Sequence, residues 1–200
     1  MARTFSKGKY EIIMQEIEPY YNWRHLYVAE EDPRSSFFGK NYSEFEFSQT
    51  VYNYFIHPQW DEFGSDTLYL KILYADYDLR FVIIEFIGEW NDVLENDIKS
   101  LKENVLDDLM LEGINQFIFI TENIMNIHVM EKDYYEEWHN ELEEMEGWVA
   151  CINTLDHVEH EWRTEGLGQY MFFYQFEKWR TYLPLHFYEK IAQRLNFLLH

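Results

Sequence analysis

Three observations on this 200-residue chain predict an α/β fold built on a mixed sheet. Residues 81–87 and 116–120 are short, nearly continuous apolar runs rich in β-branched and aromatic side chains, the signature of strands buried on both faces. An amphipathic segment that stops at Gly113 separates them, so strand, helix and strand fit within about 40 residues, the size of a crossover between parallel strands. A second amphipathic segment, 133–146, leads into a third apolar run at 148–152 and repeats the unit.

The elements before this unit read as an antiparallel meander. Residues 1–42 are mixed, with 10–14 suited to a strand or a short helix and 30–36 to a loop through Asp32-Pro33. Phe45 and Phe47 alternate with Glu44 and Glu46 as on a half-buried strand, and 51–56 follow, ended by Pro58. Residues 67–74 then pair with 81–87 across a turn at 75–78. The crossover helix is placed at 92–112: Leu94, Ile98, Leu101, Val105 and Leu109 share a face. Asp92 with Glu95, or Asn91, supplies the N-cap, and Gly113 the C-terminal stop.

Beyond it, Tyr135, Trp138, Leu142 and Met145 form the apolar stripe of a helix whose other faces are acidic: 131–146 holds eight Asp or Glu and one Lys. Residues 156–163 read as another helix. The stretch 169–183 is dense in aromatic residues, and Pro184 opens a C-terminal helix with Leu185, Tyr188, Ile191, Leu195 and Leu198 inward. The expectation is one domain, 1–200: an N-terminal extension (1–42), a sheet core with crossover helices (43–152) and a helical, aromatic C-terminal cap (153–200).

Composition narrows the function classes. With 37 acidic against 16 basic residues the net charge is −21, a field that repels phosphate backbones and anionic lipid, so neither nucleic acid nor a membrane surface is an expected partner. The single cysteine, Cys151, excludes an intrachain disulfide and reads as a small buried hydrophobe. No apolar run approaches the roughly 20 residues of a membrane span, and the first residues lack a secretory apolar segment. A cytoplasmic protein is the expectation.

No motif of high specificity names an activity. A nucleotide-type glycine loop after a strand and a Gly-x-Ser-x-Gly elbow are both missing, so no cofactor is expected. The densest ligand cluster is Asp156, His157 and His160: at helical spacing the two histidines share a face, and a divalent metal could be held with a third donor. Glu136 and His139 form a lone Glu-x-x-His. His57 and Asp61 flank Trp60 in a loop, where Asp61 could orient His57 as a base. Residues 121–128, with Thr121, Asn123 and His128, and Asn153-Thr154 follow parallel strands, and the carboxyl ends of such strands are where α/β sheets bind ligands.

The order hairpin, helix, strand, helix, strand, helix, with Phe86-Ile87-Gly88-Glu89-Trp90-Asn91-Asp92 leading from strand to helix, resembles the STAS domain of anti-sigma-factor antagonists and sulfate transporters over about residues 68–165. The resemblance implies a protein-binding module switched at a serine beginning the helix after the next strand. Here 121–135 contains neither serine nor glycine, and Thr121 is its sole aliphatic hydroxyl, so no phosphoacceptor carries over. The reading is a non-catalytic protein-interaction or regulatory module. Its acidic helix, through Glu136, Glu137, Glu143 and Glu144, suits a basic partner surface, and 169–183 offers a homodimer interface. The alternative is a metal-assisted or small-molecule-binding enzyme using His128, His139, His157 or His160.

Overall fold

The apolar runs fold into two sheets in the computed structural model, which describes residues 3–6, 11–43, 49–52, 54–130 and 132–199. The smaller sheet holds β1 (Arg3–Ser6), β2 (Glu11–Ile17), β3 (Thr50–Val51) and β4 (Tyr54–Ile56) in the order β1-β2-β4-β3, with β2 and β4 parallel. Strands β3 and β4, expected in one meander with the main sheet, therefore pair elsewhere; the alternating 44–47 lie outside the described residues. The larger sheet follows sequence order: β5 (Leu68–Asp76), β6 (Phe81–Asn91), β7 (Gln116–His128), β8 (Trp148–Ile152) and β9 (Phe172–Tyr174). Its antiparallel part is the β5–β6 hairpin, and every later pair is parallel. The hairpin turn is organised by Asp76, whose Oδ1 accepts the N–H groups of Asp78 and Leu79 at 3.1 and 2.9 Å.

Since each parallel strand is added on the same side of the last, crossovers of one handedness put their helices on one face. That face carries α1 (Asp97–Leu101), a π turn (Lys102–Leu106), α2 (Asp107–Leu111), α3 (Asp133–Glu144) and α4 (Asp156–Thr164). Val82, Ile84 and Phe86 of β6, Phe117 and Phe119 of β7, and Val149 and Cys151 of β8 meet Ile98, Leu101, Val105, Leu109, Trp138 and Trp162 there. Burying each such large side chain contributes roughly 1.5–3 kcal/mol. The alternate residues Phe81, Ile83, Ile118, Ile120, Ala150 and Ile152 face the other way, against Trp23, Trp179 and α5 (Pro184–Leu199). A register slip between Ile72 and Tyr74 sends Leu73 to this second face as well. A third cluster, Val51, Ile56, Trp60, Tyr69 and Ile87, seats the small sheet on the larger one.

Three boundaries differ from the sequence reading, each for a local reason, and one helix turns a different stripe inward. Strand β6 runs on through Gly88 to Asn91, because Gly88 adopts φ +123° beside Thr67; a Cβ there would lie 2.0 Å from the Thr67 carbonyl oxygen, which accepts the Glu89 N–H. Residues 121–128 are strand rather than loop, for β7 pairs with this extension as far as Asn91↔His128. The register shifts within that pairing break the alternation that would have revealed it, although Ile124 and Ile127 are buried. The crossover helix starts at Asp97, leaving Leu94 78% exposed. Asp92 still acts as a cap, but from six residues away: its Oδ1 accepts the Ile98 N–H and the Trp90 indole N–H, both at 3.0 Å, while Oδ2 accepts the Tyr135 hydroxyl at 2.8 Å. In α5 the inward stripe is Phe187, Ile191 and Leu195, Tyr188 stacks on Phe81 as expected of an inward residue, and Leu185 is exposed. Gly113 ends α2 as expected, with φ +94° and bonds from Gly113 and Ile114 N–H back to Met110 and Leu109.

Candidate functional site

The carboxyl end of the parallel strands is where an α/β sheet offers a site, and the side chains there are committed to one another. Thr121, at the level where β8 ends, is fully buried; its hydroxyl lies 2.7 Å from that of Thr154 and 3.2 Å from the Ile152 carbonyl oxygen. Asn153 takes a left-handed conformation (φ +57°), donates to Glu122 Oε2 at 3.2 Å and accepts the Phe176 N–H at 2.6 Å. Asn123 is half-buried in β7, opposite Ile87. His128, the last residue of β7, lies 3.3 Å from Glu89 Oε1 and 3.2 Å from the Asn126 amide.

Beside the exposed His128, this end presents apolar side chains to solvent. The turn from β6 to α1 exposes Val93 (50%) and Leu94 (78%), and the turn after β7 exposes Met130 (62%). The two turns are adjacent, for the Asp92 N–H donates to the His128 carbonyl at 2.8 Å. Buried carboxylates hold the first turn rigid. Asp97 Oδ2 accepts the Asn91 N–H at 2.7 Å, and burial raises the Asp97 carboxyl to about 7 against that bond. Leu155 adds a partly exposed apolar residue at the start of α4, whose His157 ring lies 2.8 Å from the Met125 carbonyl oxygen.

The remaining candidates fall in separate places. Asp156, His157 and His160 are exposed on α4, and among the described residues no group of three His, Cys, Asp or Glu side chains is placed to hold a metal. His139 packs against Tyr170, ring centroids 5.0 Å apart. His57 receives the Gln59 N–H at 3.2 Å. Asp61 is fully buried and pairs with Lys71 at 3.4 Å. Trp60 packs down with its indole N–H on the Ile17 carbonyl. Burial pushes the Cys151 thiol well above its usual range. In 169–183, Trp179 is wholly buried and Phe176 packs on Phe187, so much of that aromatic surface is used within the chain.

Sequence reasoning passed over the buried charges on strands. Lys71 interrupts the apolar β5 and Glu85 the apolar β6, and both are buried. A lone charged residue in the middle of such a run is the signal that could have found them, since it survives burial only with partners. Glu85 Oε2 accepts the Tyr20 N–H at 2.7 Å, and Oε1 lies 3.6 Å from the Arg180 guanidinium, which also pairs with Glu122. Burial raises the Glu85 carboxyl to about 7, offset in part by those two contacts. Lys102 is gathered by Asp107, Glu141 and Glu137 at 2.9, 3.1 and 3.6 Å. Burial opposes its charge, yet the hydrogen bonds to Asp107 and Glu141 hold its pKa above the usual value.

No protein-family model matches the chain, and no curated protein matches it. Among solved structures it is similar to the anti-sigma factor antagonist SpoIIAA in its unphosphorylated form, at 16% identity and a TM-score of 0.44, over 55% of this chain and 90% of that one. It is also similar to the Bacillus cell fate determinant SpoIIAA in the phosphorylated form, at 15% identity and a TM-score of 0.40, over 55% of this chain and 93% of that one. Among the described residues no helix is long and apolar enough to cross a membrane.

Proposed function

We propose that the chain is a non-catalytic protein-interaction module that docks a partner through the carboxyl end of its parallel strands. The observation that carries this reading is the exposure of Val93, Leu94 and Met130 on two adjacent turns. Three large apolar side chains offered together to solvent are costly to leave uncovered, and exposed apolar patches rimmed by polar groups mark interaction sites. The turns are held by the Asp92, Trp90 and Tyr135 hydrogen bonds, so the surface is preorganised and little ordering cost falls on binding.

The partner surface in this reading is basic around an apolar centre. Helix α3 turns Glu136, Glu143 and Glu144 to solvent, while Glu137 is drawn toward Lys102. These carboxylates would speed encounter and exclude acidic competitors more than they would add affinity. A cytoplasmic partner fits the lone reduced Cys151.

The test is capture from an extract of the source cell by the immobilised chain, compared with the double variant Leu94→Asp/Met130→Asp and with Leu183→Asp, an equally exposed residue elsewhere. The expected result is a protein retained by wild type and L183D and released by the double variant, with retention weakening as salt is raised. An identical set of retained proteins in all three would overturn the reading.

A further inference from the structure

The N-terminal segment does more than cover the sheet: with β5, His57 and Gln59 it lines a half-open cavity of about 310 Å³. The segment is pinned from below by the Tyr20 N–H on Glu85, the Tyr20 hydroxyl on the Arg180 carbonyl (2.7 Å) and the Trp23 indole N–H on the Tyr182 carbonyl (3.0 Å). Tyr20, Tyr21, Tyr27, Ile72 and Leu73 line the cavity. Glu30 and Lys71 also line it, and Asp61 stands directly behind Lys71.

The charges there do not balance. One ammonium, Lys71, serves two carboxylates, Glu30 and Asp61, and all three side chains are about nine-tenths buried or more. Glu30 gives one oxygen to Lys71; the other, Oε2, is buried with no hydrogen-bond partner among the described residues. The rim adds Glu18 and Arg24, which offset each other. A buried acceptor without a donor and an excess negative charge are both costly, and both are relieved by one cationic donor. Tyr20, Tyr21 and Tyr27 line the cavity, and aromatic rings attract organic cations through their faces.

We infer that this cavity is a binding site for a small protonated organic amine with an apolar body, its ammonium group toward Glu30 and its body among Tyr20, Tyr21, Tyr27 and Leu73. The site is separate from the docking surface at Leu94 and Met130 and does not depend on it. Lys71 remains an internal counter-ion, and the amine supplies the second positive charge that the Glu30–Asp61 pair lacks.

Calorimetric titration of the full chain decides it, using 2-phenylethylamine and its carboxylate counterpart 3-phenylpropionate as probes. The amine should bind and the carboxylate should not. Glu30→Gln should weaken the amine about tenfold or more, by removing a charged acceptor. Tyr21→Ala should weaken it about threefold through loss of a cation–π wall. Tyr21 is 61% exposed, so that variant should stay folded even if E30Q does not. Absence of amine binding to wild type, equal binding of the carboxylate, or an affinity unchanged in Y21A and in any folded E30Q would overturn the inference. L94D/M130D should bind the amine as wild type does, whatever becomes of its protein partner.

Discussion

The two faces of the five-stranded sheet are built on different principles. The helix face is apolar across its middle, with Phe86, Phe119, Trp138 and Trp162 interlocked: Phe119 stacks on Trp138 at 5.7 Å, and Trp90 meets Trp162 edge-on at 5.5 Å. The opposite face has an aromatic core too, around Trp23, Trp179 and Phe187, but it is interrupted by Glu85 and Glu122 with Arg180 bridging them. Hydrophobic contact, which is non-directional, dominates the first face, with the Asp92 bonds to Trp90, Ile98 and Tyr135 at one end of it. On the second, directional bonds fix where an irregular segment lies, since 18–28 contributes no strand or helix that packing could register.

Mutations should separate the two. The largest effect is expected on the helix face: Trp162→Ala empties a fully buried site and should cost about 3–5 kcal/mol in urea unfolding. A loss below about 1 kcal/mol would mean that α4 is loosely seated. On the second face, Glu85→Ala leaves the Tyr20 N–H without its acceptor and Arg180 with Glu122 alone, and should cost about 1–3 kcal/mol. Glu85→Gln keeps a carbonyl acceptor and should cost less than Ala. Amide exchange in E85A should rise first at Tyr20 and in the segment after it, with the β6–β7 ladder still protected. Uniform loss of protection would erase the distinction between the faces.

Acidity supplies the next test. Asp61 is raised to about 6, and Glu85 and Asp97 to about 7, in each case chiefly by burial. Groups whose folded pKa exceeds the unfolded value hold protons more tightly when folded. Their stabilising contribution is full below about pH 4, the unfolded carboxylate range, and is lost as pH rises through 6 to 7. The net charge of −21 acts in the same sense, as acid relieves self-repulsion. The chain should therefore be more stable at pH 5.5 than at pH 8, by at least ~1 kcal/mol. E85Q should flatten that dependence, and a stability that rises from pH 5.5 to 8 would refute the assignment. The smallest stability change belongs to Leu94→Asp and Met130→Asp, within about 0.5 kcal/mol, because both side chains are already in water.

How much was legible in the sequence follows the same division. Nearly continuous apolar runs at 81–87, 116–120 and 148–152 and the stripes of α3 and α4 announced the helix face, since periodicity records burial on one side. The extension of β6 and β7 to Asn91 and His128 was not legible, because bulges put the alternation out of phase. Leu94 fitted the spacing of the crossover helix by chance; what decided its fate was Asp92, which serves Trp90, Ile98 and Tyr135 at once and holds the start of the helix back to Asp97. The apolar turn was therefore hidden inside an expected core stripe. The pairing of Lys71 with Glu30 spans 41 residues and that of Arg180 with Glu122 spans 58, distances over which local pattern carries no information.

The docking surface is tested most directly by light-activated cross-linking in the source cell, with a photoreactive residue placed at Leu94, at Met130 or at Leu183. If the carboxyl end of the sheet is where a partner sits, Leu94 and Met130 should each yield one and the same protein adduct, and Leu183 none. No adduct at Leu94 and Met130, or the same adduct from all three positions, would contradict it.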